Sequence, residues 1–406
     1  MQTAHEIYAR LGLGEPDDAT LAAWPETMRD YPAGTPALFE AANVAAGCAE
    51  INLSADVAAA LQAAAAVCLR SADLNALGWH WSKRLSAMER IPKFPPLHAK
   101  PEEWAKLFWA LAFVAQAPRA RAFFRERGIS DAIALDTLSD LELWIRQHKR
   151  LTGLWGLERP EWISNHFGGR IFKLGRLQFE HHAFGFDFTA YRQRATGRVV
   201  VFAESGSFRS DGQYATSDGG AQPAAFDAKL VDDGATIRGH PVTPSGAVQA
   251  FSVALPRGEW SRILAPGDPC LGIHIAATGP MDHAACGESM RAAGPFFAKH
   301  FPDRPFKAFT CASWLLDPQL ESVLPADSNI VRFLSEFYLH PLPYANPDQT
   351  YERVFDNYKI EIAAAPQKSS LQKAIVNHVK SGGHWRGGGA LYFPEDLAWG
   401  KQVYRR

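Results

Sequence analysis

The chain has few cysteines, almost no net charge and no long apolar run, and each shortage excludes something. Its five cysteines, Cys48, Cys68, Cys270, Cys286 and Cys311, are odd in number, widely scattered, and include no C-x-x-C pair. That excludes a disulfide framework and a structural zinc knuckle and points to a reduced, cytoplasmic protein. A formal net charge of −1 argues against a broad nucleic-acid surface. The most apolar run, residues 57–69, is alanine-rich, interrupted by Gln62 and too short to span a bilayer. The first residues, MQTAHEIYAR, lack the basic start and apolar core of an export signal. No membrane, nucleic-acid or metal partner is therefore expected.

What is present is enough chain, 406 residues, for two or three cores. Up to about Gly156 every periodic segment is helical. Ser54 or Asp56 can cap a helix with Val57, Leu61, Ala64 and Cys68 on one face, and Trp104, Leu107, Phe108 and Leu111 mark another. A third, from Ser130, places Leu138, Leu141, Ile145 and His148 together, and prolines such as Pro92, Pro95, Pro96 and Pro118 punctuate the run.

After Pro160 the pattern changes to period two. RIFKLGRLQFE (170–180) reads as a strand with Arg176, Gln178 and Glu180 on one face, and VVVFA (199–203) as another. The Ser/Gly/Asp-rich residues 205–221 read as a loop, and Asp233-Gly234 as a hairpin. CLGIHIA and FKAFTC are strands flanking a helix capped by Asp282, in which Cys286, Met290, Ala293, Phe297 and Phe301 form one buried stripe. Strands joined in this way should be parallel. Residues 328–337 and 351–355 read as further strands and 370–380 as a helix. The glycines from Gly382 to Gly389 surround Trp385 and Arg386 as a lid, an adenine site or a packed tail.

Several separated blocks, in the same order, carry a resemblance. RGI (127–129), Trp155, Trp162, GGRIFKLGRLQFE, PGDPCLGIHIAATGP, SWLLDPQL, LPADSNIVRF and LQKAIVNHVKSGGHW resemble the bacterial acyltransferase-domain proteins that pair a helical N-acyltransferase N-terminal domain with a GNAT-like C-terminal domain. The resemblance implies an α+β fold with a GNAT-like mixed sheet. It divides the chain into a helical domain (1–158), a β-rich segment (159–265) and a GNAT-like domain (266–406). It also implies acyl-CoA as the donor substrate, held between CLGIHIA and FKAFTCA with its pyrophosphate at the turn 277–282. This turn departs from the usual one: it has only Gly279, followed by Pro280, which lacks an N–H, and Asp282, whose charge repels phosphate.

Direct acyl transfer to an amine needs a base, oxyanion donors and an acid for the leaving thiolate. His274, interrupting an apolar strand, is the first candidate base, or else a core histidine bonded to backbone. Glu180 is the second, as base or orienting group, or else the partner of Arg176 or Arg192. Ser313 and Cys311, at the end of the second strand, face the thiolate or pantetheine, or simply pack; a nucleophilic Cys311 would require a neighbouring base. Ile275, Ala276, Gly279 and Arg332 complete the expected cofactor contacts. His181 and His182 point to opposite faces of a strand and do not share a metal ion. The acceptor expected is a small-molecule amine or a peptide, and the oligomeric state a monomer or homodimer. The competing reading is a degenerate GNAT-like scaffold that binds a ligand or partner without catalysis.

Overall fold

The computed structural model describes residues 2–98, 102–217, 223–344, 347–357 and 360–405. The chain divides into two compact units, Met1–Leu174 and Gly175–Arg406.

The first unit holds helices α1 (Ala4–Leu11), α2 (Asp18–Arg29), α3 (Ala41–Glu50), α4 (Ala55–Cys68), α5 (Ala72–Ser86), α6 (Glu102–Glu126), α7 (Asp131–Leu138), α8 (Asp140–Thr152) and α9 (Pro160–Phe167), then strand β1 (Ile171–Leu174). Helices α3, α4, α5, α7 and α9 all pack on α6. Residues 107–114 of α6 are consequently buried on every side, as befits a helix surrounded by neighbours. Gly47 lets α3 approach it closely, since a Cβ there would lie 2.3 Å from the Val114 carbonyl oxygen. The expected stripe of α4, Val57, Leu61, Ala64 and Cys68, is buried. Pro118 lies inside α6 without ending it, because packing on so many neighbours outweighs one lost backbone bond. The segment after Ser130 is two helices, α7 and α8, that meet at Ser139, yet Leu138, Leu141, Ile145 and His148 are all buried as their spacing requires.

The second unit begins with strands β2 (Leu177–Ala183), β3 (Phe188–Gln193), β4 (Val199–Ala203), β5 (Ser205–Phe208), β6 (Phe226–Lys229), β7 (Val231–Asp232), β8 (Thr236–Val242), β9 (Val253–Pro256), β10 (Trp260–Leu264) and β11 (Pro269–His274). Helix α10 (His283–His300), β12 (Ala308–Ser313), α11 (Leu320–Val323), α12 (Asn329–Leu334), β13 (Tyr338–His340), α13 (Pro347–Phe355), α14 (Ser370–Lys380) and β14 (Gly388–Tyr392) follow. One sheet runs β2-β11-β12-β14-β13; the other runs β10-β3-β4-β8-β7, with β9 also on β8. The first is mixed, since β11 pairs antiparallel with β2 and parallel with β12. Tyr191, Phe202, Ile237 and Trp260 form the core on the second. The Tyr338 hydroxyl ties β13 to the second sheet by donating to the Val242 carbonyl at 2.5 Å.

Helix α10 is as its sequence requires. The Asp282 carboxylate accepts from the Ala285 N–H at 2.8 Å, and Cys286, Met290, Ala293 and Phe297 are buried.

Four local expectations are corrected. The strand read over 170–180 breaks at Gly175, whose φ of +71° is left-handed. Residues 328–337 contain helix α12, capped by Ser328, which buries Val331 and Leu334 on one side. Residues 351–355 are the end of α13. The loop read over 205–221 starts as strand β5, paired with β6, while residues 218–222 lie outside the described residues.

The glycine-rich end is a packed element. It leads into β14, which lies inside the sheet between β12 and β13. Gly388 and Gly389 are required there, because a Cβ would lie 1.9 Å from the Leu316 carbonyl oxygen or 2.0 Å from the His340 ring. Ahead of it, Trp385 is buried, and the Asp317 carboxylate accepts from the Arg386 N–H (2.8 Å) and the Gly387 N–H (3.3 Å).

Candidate active site

The register of β2, β11 and β12 decides which side chains meet, because residues directly opposite across a ladder share a face. Gly272 stands opposite both Glu180 and Thr310, Cys270 opposite His182, and His274 opposite Gln178. Glu180, His182, His274 and Thr310 therefore share one face. Phe179, His181, Ile273, Phe309 and Cys311 take the other, where the His181 ring packs on Phe297 of α10 at 4.7 Å.

On the polar face His274 Nε2 donates to Glu180 Oε2 at 3.1 Å, and His182 Nε2 and Thr310 Oγ1 share a hydrogen bond of 2.6 Å. The second bond passes over β11, and Gly272 makes the room: a Cβ there would lie 3.2 Å from the His182 ring. Burial pulls the His182 imidazole below the ordinary histidine value, the charge of Glu180 raises it, and His274 lowers it again. His182 is consequently neutral at pH 7.

The parallel pairing of β11 with β12 ends at Gly272 and Thr310, although β11 continues to His274 and β12 to Ser313. The strands part beside the polar cluster, and their facing backbone groups cease to pair with each other. The arrangement suits an extended chain with amide groups between the strands and a reacting carbon beside an imidazole and a carboxylate.

The turn after β11 is organised differently from a phosphate cradle. Arg176 donates to the carbonyls of Ala276 (2.9 Å), Gly279 (3.1 Å) and Pro280 (2.9 Å). Gly279 has φ +104°, which only glycine adopts easily.

Of the residues singled out from sequence, Glu180 and His274 come together. Glu180 does not pair with either arginine considered for it, since Arg176 holds the turn and Arg192 pairs with Asp396 at 2.7 Å. Ser313 caps the short turn 314–316, its Oγ accepting from the Leu315 N–H at 3.2 Å. Cys311 is buried on the helix-facing side, and burial pushes its thiol up to about 12. Ile275 is half-buried and Ala276 buried, directly after β11. Arg332 is exposed on α12, with Nη2 donating to His283 Nδ1 at 3.1 Å. His182 and Thr310 were not singled out as site residues. The signal for His182 was its place two residues after Glu180 on one strand; Thr310 had none short of the register. Among the described residues no helix is long and apolar enough to cross a membrane.

Comparison with known proteins agrees with this architecture. The family model of the GNAT-like C-terminal domain matches residues 171–392, and that of the N-acyltransferase N-terminal domain matches residues 42–169. No curated protein sequence matches the chain. Similar solved structures include an acyltransferase mutant in complex with octanoyl-CoA, with a TM-score of 0.67 at 24% identity over 95% of this chain and 98% of that one. An acyltransferase in complex with decanoyl-CoA and teicoplanin has the same TM-score and identity over 97% and 99%. At that identity the likeness speaks for the fold. The GNAT-like match alone spans more than half of the sequence, and the chain belongs to the GNAT-like C-terminal domain family, joined to an N-acyltransferase N-terminal domain as a GNAT-like N-acyltransferase.

Proposed function

We propose that this protein binds acyl-CoA between β11 and β12 and transfers the acyl group directly to the amine of a small-molecule acceptor. The observation that carries the reading is that β11 and β12 cease to pair directly beside the His274–Glu180 and His182–Thr310 pairs. Pantetheine amides pair with the backbone freed there, including that of Ile275 and Ala276. The amine nitrogen attacks the thioester carbon, the C–S bond breaks, and the proton lost by the nitrogen passes to His274. Glu180, already accepting from this ring, stabilises the imidazolium. Thr310 Oγ1 and the neutral His182 imidazole, hydrogen-bonded to each other at 2.6 Å, stand on the same face beside the departing thiolate. Reduced cysteines and an acyl-CoA donor fit a cytoplasmic setting.

The ligands of the similar structures choose the first reagents: octanoyl- and decanoyl-CoA as donors and teicoplanin as the first acceptor to try. Calorimetry with acyl-CoAs of graded chain length should give saturable binding, and thiol release should depend on an added amine. Absence of binding by every acyl-CoA would sink the reading. Binding without turnover of any amine would favour the non-catalytic scaffold instead, which the atypical turn at Gly279 supports.

A further inference from the structure

One cluster is not used by this chemistry. At the start of α10, His283 and Glu336 are both buried, and His283 Nε2 donates to Glu336 Oε1 at 3.1 Å. The other Glu336 oxygen accepts from the Gly400 N–H at 3.0 Å, and Trp399 Nε1 donates to the His283 carbonyl at 2.8 Å. With Nε2 carrying the proton, His283 Nδ1 is an acceptor, and it receives Nη2 of the exposed Arg332 at 3.1 Å.

This relay aims a guanidinium without cancelling its charge. An arginine held by a carboxylate has spent its charge, whereas one held by a neutral imidazole nitrogen keeps it for an incoming anion. At the N-terminal end of α10 the Asp282 carboxylate already accepts from the Ala285 N–H and sets a negative charge against that anion. Three carbonyls of the preceding turn face Arg176. A phosphate arriving there must therefore find its cation on a side chain.

We infer that Arg332, aimed by the buried His283–Glu336 pair, anchors a phosphate of coenzyme A in place of the usual glycine-rich turn. The inference rests on the acyl-CoA reading above. Arg332 is the binding residue, and His283 and Glu336 position it.

The test is calorimetry of the full chain and its Arg332→Gln variant with CoA, dephospho-CoA and pantetheine. Arg332→Gln, an exposed change, should weaken CoA roughly tenfold to a hundredfold and leave pantetheine unaffected. If the loss persists with dephospho-CoA, the anchored group is the pyrophosphate; if it vanishes, it is the 3′-phosphate. Both support the anchor. Equal loss with pantetheine, or none with CoA, overturns it while leaving the acyl-CoA reading intact. Failure of the unaltered protein to bind CoA overturns both. His283→Asn should raise KM for acyl-CoA at unchanged kcat; an unchanged KM would remove the positioning role.

Discussion

His182 Nε2 lies 2.6 Å from Thr310 Oγ1 although their strands, β2 and β12, are not neighbours; the bond crosses over β11 at Gly272. A residue without a side chain thus connects two polar residues 128 positions apart in the chain.

That crossing is open to a direct test. Gly272→Ala places a Cβ 3.2 Å from the ring, so His182 must give by a few tenths of an ångström. Gly272→Val adds two further carbons and displaces it. The valine variant should lose at least about tenfold in kcat/KM and about 1–3 kcal/mol of stability, the usual range for overpacking. The alanine variant should stay close to the original protein in both thiol-release kinetics and thermal melts.

The titration of His182 gives a second test. Burial depresses this histidine, so it stays neutral below the pH at which an exposed histidine takes up a proton. Its contribution to turnover should disappear only as pH falls through that lowered value. Glu180→Gln removes an influence that raises the pKa and should move the NMR titration lower. His274→Ala removes one that lowers it and should move the titration higher. Shifts of the same sign in both variants would contradict the arrangement.

Transfer through a cysteine intermediate is tested at Cys311. Its buried thiol is pushed up to about 12, so almost none is thiolate at neutral pH. Cys311→Ala should retain kcat within about twofold, since a direct reaction places no covalent step there. Iodoacetamide should leave Cys311 unlabelled in the folded protein, as read by peptide mass spectrometry.

Asp317 holds the approach to β14. Its buried carboxylate accepts from the N–H groups of Gln319, Arg386 and Gly387. Asp317→Ala would strand those donors and should cost about 2–3 kcal/mol, in line with buried N–H groups left without acceptors. Asp317→Asn keeps the shape and one acceptor oxygen and should cost less, which urea unfolding can measure.

Acid should weaken the fold through His340. This buried ring lies among Phe184, Phe186 and Phe188, its Nε2 has no partner, and burial lowers it to about 4. The unfolded chain takes up that proton near pH 6.5, the folded one only near 4. Stability is therefore untouched above about pH 6.5 and declines between there and pH 4, by about 3 kcal/mol in all. His340→Leu should flatten that part of a urea midpoint against pH curve. His80, lowered to about 3 by burial, leaves a second decline in the first unit.

The legible parts of the sequence were those with a local cause. The stripe Cys286, Met290, Ala293, Phe297 and the Asp282 cap define α10, and each is borne out. The helical run before Pro160 and the change of period after it were legible locally, while the α+β class with its mixed sheet was what the family resemblance implied. Helix α12 was misread because Ile330, Val331, Phe333 and Leu334 are a short apolar run, which fits either period. The glycines before Leu391 suggested freedom, whereas Gly388 and Gly389 answer to crowding by Leu316 and His340. His274 and Glu180 were found separately as polar residues in apolar strands. Their pairing was beyond local reading, because 94 positions separate them.

By itself the sequence determined helices such as α4 and α10 with their buried stripes and strands such as β4, since those follow from spacing and capping within a few residues. The tertiary structure alone decided that β11 lies between β2 and β12, that Gly272 stands under His182, and that Arg176 serves the turn rather than Glu180. Strand order and register arise from the sum of many long-range contacts, and a shift of one residue would turn Glu180, His182 and His274 to the opposite face.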